Sequence, residues 1–356
     1  MELLVFDPEL KGRGVLDIFD SLIWVDRYDA YGDVEFDTYS IIETLSVVRE
    51  NDYLVMANSQ HTMIVDTIEI KTDVERGNKL VIKGRSLESI LDRRIIWDQT
   101  ILTGSLQDGI LKLLNDNAIN PIDPDRKINK LIFIPSEDPR ITMLTIDAQF
   151  TGDNLYDVIS AICLSYNIGF KILHDENGNF VFSLYSGNDR SYDQLENPYV
   201  VFSPNFDNIL NGEYLYTNKL YKTVTLVAGE GEGSDRKKIA VAFEGEAGSD
   251  LDRREIFTDA REISQTTEEG ELTDEEYYAQ LAQKGKETLI EMAIETVFEG
   301  QLQPNSLYIY GEDFFMGDTL QIADSYGHEG KVQITEFSQI QDAAGFRMYP
   351  SFITLV

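Results

Sequence analysis

Over the first hundred residues, apolar and polar positions alternate in short runs, the period-2 signature of strands that bury one face. Val15–Phe19, Ser21–Tyr28, Asp33–Thr38, Asp52–Ala57, Met63–Ile70 and Lys79–Lys83 carry this rhythm and are rich in β-branched and aromatic residues. Arg76-Gly77-Asn78-Lys79 punctuates the last pair as a turn. Residues 1–97 are therefore expected to form a β-barrel-like or sandwich domain.

After Gly84 the apolar spacing lengthens. Ser86 is placed to cap a short helix with Leu87, Ile90 and Leu91 on one face. Ser105 and Asp108 form a capping signature ahead of Ile110, Leu113 and Leu114. A strand, Leu131–Ile134, lies among Pro121, Pro124 and Pro135, and Leu155, Val158, Ile159, Ile162 and Tyr166 recur at helical spacing. Phe170–Leu173 and Phe180–Leu184 flank His174–Asn179, whose Asn177-Gly178 predicts a hairpin because both turn residues tolerate positive φ. Residues 98–200 thus read as an inserted α/β domain.

Residues 201–250 return to β, with Lys222–Val227 and Lys238–Phe243 joined by a flexible Gly- and acid-rich loop, Ala228–Asp235. Glu268–Glu271 reads as solvated linker. Thr273 and Glu276 make a capping box that opens a long helix within 251–300, the helical segment of a second α/β domain. Its stripe of Tyr278, Leu281, Ala282, Gly285, Leu289, Met292, Ala293 and Thr296 is expected to be core. Ser306–Tyr310, Thr319–Ile322 and Lys331–Phe337 are strands of a C-terminal β-barrel-like segment, 301–356. No tandem repeat is visible. The fold class is α+β and multidomain.

Composition narrows the function. A chain of 356 residues, 42% hydrophobic and 11% aromatic, can bury two or three cores. No stretch approaches the roughly 18 apolar residues needed to span a bilayer. The first residues carry Glu2 and Asp7 and no basic cluster, so no signal peptide is expected. The lone cysteine, Cys163, sits on an apolar helical stripe and reads as a buried, inert thiol. A net charge of −33 disfavours nucleic-acid binding as a primary task, because phosphate backbones require basic patches.

Three segments, in this order, carry a resemblance. The first is Gly84-Arg85-Ser86-Leu87 through Leu91, Arg93, Arg94 and Trp97, directly after a strand. The second is Leu251 to Arg261, with Asp252, Arg253, Arg254, Glu255 and Asp259. The third is Tyr310 to Leu320, with Gly317 and Asp318. Together they resemble the tail-hub (baseplate hub-like) family of long-tailed bacteriophages and span nearly the whole chain. That resemblance implies two β-barrel-like domains with inserted α/β domains, and a homotrimer forming a pseudo-sixfold ring. It implies an adapter from a sixfold tail tube to a threefold tip, located in the virion tail. Expected partners are a distal tail ring protein, the tape-measure protein C-terminus, and further tail-tip or receptor-binding proteins, with DNA passing through the channel but not bound specifically. Some relatives continue into a lytic or receptor-binding region. This sequence ends at Val356, so no fused lysin is expected.

No catalytic, cofactor or metal site is expected. With 63 acidic residues, pairs such as Asp52 and Asp66, or Glu312 and Asp313, arise by chance, and a solvated surface explains them better than a glycosidase pair. His61, His174 and His328 lie near turns, form no paired ligand motif, and are expected to face solvent. Gly229-Glu230-Gly231-Glu232-Gly233 lacks a following helix and carries acids that repel phosphate, so a mobile hairpin tip is expected. The Asp175–Asn179 turn lacks the ligand spacing of a calcium loop. Arg85, Arg93 and Arg94 beside Glu88 and Asp92, and Arg253, Arg254 and Arg261 beside Asp252, Glu255, Asp259 and Glu262, are expected to fix packing through ion pairs. Trp24 and Trp97 are expected in cores or at domain joints. The charge fits an acidic bore that lets a polyanion slide, or a merely soluble surface. A cell-wall hydrolase and a host-surface carbohydrate-binding module remain the alternatives.

Overall fold

A computed structural model describes residues 1–354 except 58, 76, 234–235, 268–269, 303–306, 324–325 and 327–328. The N-terminal unit contains β1 (Leu3–Phe6), β2 (Gly12–Leu16), β3 (Ser21–Arg27), β4 (Asp33–Thr38), helix α1 (Ile41–Val47), β5 (Tyr53–Met56), β6 (Thr62–Lys71) and β7 (Lys79–Ser86). Strand β4 alternates inward Val34, Phe36 and Thr38 with outward-leaning neighbours, as its sequence rhythm requires. Trp24, Phe36, Leu54, Met63 and Ile82 are among the side chains that form its core.

An α/β unit follows: a 3₁₀ turn (Leu87–Arg93), β8 (Thr100–Ser105), α2 (Leu106–Leu114), β9 (Leu131–Ile134), α3 (Pro139–Thr142), β10 (Thr145–Phe150), α4 (Leu155–Ser165), β11 (Gly169–His174) and β12 (Phe180–Tyr185). The Ser105 hydroxyl accepts from Asp108 N–H, and Asn154 caps α4 through Tyr156 and Asp157 N–H. Leu106, Ile110, Leu113, Ile159, Phe170 and Phe182 close one core, which Tyr53 and Ile64 of the N-terminal strands join.

Strands β13 (Val201–Phe202) and β14 (Ile209–Thr217) lead to a second α/β unit: β15 (Val224–Ala228), β16 (Lys238–Ala242), β17 (Glu255–Asp259), β18 (Thr266–Thr267), β19 (Gly270–Glu271) and α5 (Asp274–Glu291). Both arms of the Thr273–Glu276 capping box form. Gly285 lets α5 press on the sheet, since a Cβ there would lie 2.7 Å from Val241 and 2.8 Å from Val227. The last strands are β20 (Glu295–Leu302), β21 (Thr319–Ala323), β22 (Glu329–Asp342) and β23 (Gly345–Thr354), around a core with Phe202, Phe314, Phe337 and Phe352.

The fold is mixed α+β and mostly sheet. Two β-barrel-like domains were expected; no closed barrel is found among the described residues. The strands of both regions share one 13-stranded sheet, running β14-β20-β23-β22-β3-β4-β7-β6-β5-β1-β2, with β13 and β21 attached beside it. The cause is β22, 14 residues long, which pairs with β23 from Val332 to Asp342 and also with β3 from Glu336 to Gln341. It thereby sews the C-terminal strands to the N-terminal ones.

Local expectations differ in several places. The strand placed at Val15–Phe19 runs Gly12–Leu16, because Asp20 turns the chain, its carboxylate accepting from Tyr39 N–H. Strand β1 and helix α1 lacked a legible signal. The Ser86 hydroxyl does not cap the following turn; it accepts from Gly32 N–H and donates to Glu88. The hairpin expected around Asn177-Gly178 does form, with His174 paired to Phe180 across it. Only Gly178 takes positive φ, and the Asp175 carboxylate gathers Asn177 N–H and Asn179 N–H. Strand β15 begins at Val224 and not at Lys222. The linker expected over 268–271 is partly strand, since Gly270–Glu271 pair with Thr266–Thr267 in a small ladder; Glu268 and Glu269 lie outside the described residues. Tyr277, and not Tyr278, is the buried tyrosine of α5, and the helix stops at Glu291, short of Ala293 and Thr296. Residues 307–310 form no strand beyond an isolated Tyr310–Phe314 bridge, because the Asp313 carboxylate accepts from Ile309 N–H and the chain turns at 311–313; Ser306 lies outside the described residues, as does Arg76 of the earlier turn.

Candidate functional site

A buried polar region lies where the N-terminal strands, the first α/β unit and the C-terminal segment meet. Asp26 on β3, His61 ahead of β6, Glu88 on the 3₁₀ turn and Lys171 on β11 converge there. A cavity of about 210 Å³ beside them is lined by Asp26, His61, Lys171, Tyr185, Tyr310 and Asp318, among others.

Glu88 is 1% exposed and anchors three segments. Its Oε1 accepts from Ile172 N–H on β11 at 2.7 Å and lies 3.3 Å from His61 Nδ1, while Oε2 accepts from the Ser86 hydroxyl. The His61 contact is ionic, since Nδ1 lacks hydrogen-bond geometry. Asp26 accepts from Trp24 Nε1 at 3.0 Å and from the Ser59 hydroxyl at 3.1 Å. Burial favours a neutral imidazole, but Glu88 and then Asp26 outweigh it and raise His61 to about 9. Burial also pushes Glu88 up, yet His61, Ser86 and the Ile172 N–H hold it below the ordinary carboxylate range. Asp26 is raised by burial, which its partners only partly offset.

A second joint lies beside the first. Arg190 Nε meets Asp318 Oδ2 at 2.6 Å, and Asp318 also accepts from Asn188 N–H at 2.6 Å and Phe315 N–H at 3.0 Å. Gly317 has φ +86, and a Cβ there would fall 2.2 Å from the Tyr28 ring. A Cβ on Gly187 would fall 1.9 Å from Gly317 O, so two glycines allow the backbones to touch.

The residues singled out from sequence fall in several places. Gly84 sits in β7, where a Cβ would lie 2.3 Å from Ile64 O, and Leu87 and Leu91 are buried core. Arg85 pairs with Asp66 and Asp92 and lies over the Tyr31 ring. Arg93 and Arg94 reach no carboxylate among the described residues; Arg94 donates to Arg126 O. Glu88, expected beside these arginines, serves His61 instead. Arg253 pairs with Glu255, Arg254 donates to Asn218 O, and Asp259 holds Arg236, while Asp252 is exposed.

Several expectations are overturned. His61 is 8% exposed and not solvent-facing, because Glu88 and Asp26 stabilise its charge inside. His174 is half-buried, packed on Tyr53 and Phe180; His328 lies outside the described residues. Asp52 is fully buried, held by Arg13, whereas Asp66, Glu312 and Asp313 stay at the surface. Glu230 is pinned by Gln265 N–H and the Ser264 hydroxyl, so that part of the glycine-rich loop is tied down. Trp97 is 59% exposed with Arg126 over its ring, while Trp24 is core. No sequence spacing links Asp26, His61 and Glu88; only the folded sheet unites them.

Among the described residues no group of His, Cys, Asp and Glu is arranged to hold a metal ion, and no helix is long and apolar enough to cross a membrane. Burial drives the Cys163 thiol well above its ordinary range. The sheet ends are the other notable feature. Strand β14 pairs only with β20 among the described residues, and it exposes Leu210, Tyr214, Leu215 and Tyr216 at 37–54%. The opposite end is β2, with Val15 half exposed.

Comparison with known proteins places these features. The model of the Siphovirus ReqiPepy6 Gp37-like protein family matches residues 2–352. No curated protein matches the chain. Among solved structures, the 43 kDa tail protein of prophage MuSo2 from Shewanella oneidensis has a TM-score of 0.59 at 11% identity, covering 99% of this chain and 98% of that one. A tail protein from Neisseria meningitidis MC58 has a TM-score of 0.58 at 11% identity, covering 99% and 95%. Prophage tail protein gp18 from Listeria monocytogenes EGD-e has a TM-score of 0.56 at 13% identity, covering 99% and 94%. At these identities the likeness is one of fold.

Proposed function

Because the chain belongs to the Siphovirus ReqiPepy6 Gp37-like protein family, a family of phage tail proteins found in the virion tail, we propose that it is the structural hub of a tail tip. Three copies close into a ring, each contributing two barrel-like units curled on separate cores of the one sheet. The ring adapts a sixfold tube to a threefold tip and surrounds the DNA path, without catalysis.

One observation carries this reading. The long sheet ends in β14, a nine-residue edge strand on which four large apolar side chains are 37–54% exposed. Such an edge invites pairing and is normally blunted or covered. Its counterpart β2 has a different sequence and a different setting, with Gly14 packed under Val47 of α1. Unlike ends favour a head-to-tail contact, and head-to-tail contacts make rings when the rotation closes. A distal tail ring protein and the end of the tape-measure protein are the partners this geometry would serve. The excess of acids suits a bore that repels the passing polyanion. Imaging the purified chain mixed with its distal tail ring protein tests the proposal: threefold rings are expected, and particles that stay single alongside that partner refute it.

A further inference from the structure

We propose that Glu88 and His61 form a charge latch that docks the first α/β unit on the N-terminal strands, set only while both side chains are ionised. Glu88 follows β7 directly, at the point where the chain leaves the N-terminal strands for the inserted unit. From there one carboxylate reaches forward to Ile172 N–H on β11 and sideways to His61, which belongs to the loop between β5 and β6. A buried carboxylate with three partners fixes direction as well as distance, because losing any one partner leaves an unpaired polar group away from water. Apolar packing also joins the two units through Tyr53 and Ile64, but such contacts are non-directional. The latch therefore sets the angle at which the insertion leaves the sheet.

The groups facing His61 come from every neighbouring element. Asp26 approaches from β3, Glu88 from the 3₁₀ turn and Lys171 from β11. Tyr185 of β12, Tyr310 and Asp318 complete the wall of the adjoining cavity, with Asp318 already engaged by Arg190. Lys171 lies over the Tyr185 ring, which holds its cation beside the pair without a carboxylate of its own among the described residues. Loss of charge on either latch member removes the attraction that offsets burial of the other. A segment that must keep its orientation within an assembly would thus be rigid near neutrality and loosen at either extreme of pH.

Amide hydrogen exchange on the full chain at neutral pH tests this, comparing the native protein with Glu88→Gln and His61→Phe. Exchange across Gly169–His174 is expected to rise roughly tenfold in both variants while amides of α2 and α5 stay unchanged. Unchanged exchange at Ile172 in both would overturn the latch. Titration of the His61 ring by NMR in the native chain needs no variant: a midpoint near 9 supports the latch, and one at or below the ordinary 6.5 overturns it.

Discussion

Arg190 and Asp318, 128 residues apart in sequence, form an ion pair at 2.6 Å in which the two residues are only 8% and 2% exposed. The pair ties the segment leaving β12 to the turn before β21. Around it Asn188 N–H and Phe315 N–H converge on the same carboxylate, so the carboxylate is fully engaged. Asp318→Ala leaves a buried guanidinium and two amides unpaired, and is expected to cost about 3–5 kcal/mol. The denaturant midpoint measures this; an unchanged midpoint would mean that the joint contributes nothing.

Gly317 and Gly104 separate backbone strain from collision. Both have positive φ, +86 and +89, but a Cβ at Gly104 meets nothing within 4 Å, whereas one at Gly317 strikes the Tyr28 ring. Alanine at Gly104 should cost about 1 kcal/mol, and alanine at Gly317 at least about 2 kcal/mol more, from overpacking. Equal losses in thermal unfolding would show that Tyr28 yields freely.

The Cys163 thiol lies at 0% exposure on α4. It should resist a thiol-specific reagent in the native protein and react fully once denaturant unfolds the chain. Rapid labelling under native conditions would place α4 at the surface, contrary to the fold.

Stability should also follow the charge of His61. Its folded value near 9 exceeds the unfolded 6.5, so its contribution is complete below 6.5 and fades as pH rises through 9. Glu88 behaves oppositely: its folded value lies below the ordinary 4.5, so its contribution is present above 4.5 and is lost as acid passes that lower value. Thermal unfolding from pH 6 to 10 should show a decline in the native chain that His61→Phe lacks.

Local chemistry made much of the fold legible. The alternation of Asp33–Thr38, the Ser105 cap, the Thr273–Glu276 box and the apolar spacing of Leu155–Ile162 each specify structure within a few residues. The union of two β regions into one sheet was not legible, because it depends on β22 pairing with β3 across more than 300 residues. Arg27 Nε meeting Glu336 Oε2 at 2.7 Å across a separation of 309 residues marks that seam. The polar junction was hidden for the same reason. His61 looked like a turn residue because its neighbours in sequence are Gln60 and Thr62, while the acids that retain its charge lie on β3 and after β7. Conversely, Trp97 has the apolar bulk of a core residue, but it stays exposed and Arg126 covers its face.

In the proposed hub, protomers join in a ring through unlike sheet ends, with β14 as one of the joining surfaces. Electron microscopy of the chain with its distal tail ring protein, run in parallel for the native sequence and for Leu215→Lys with Tyr216→Lys, tests it most directly. Threefold rings are expected for the native chain, and single, folded particles for the double variant. Rings of the same symmetry from both would contradict it.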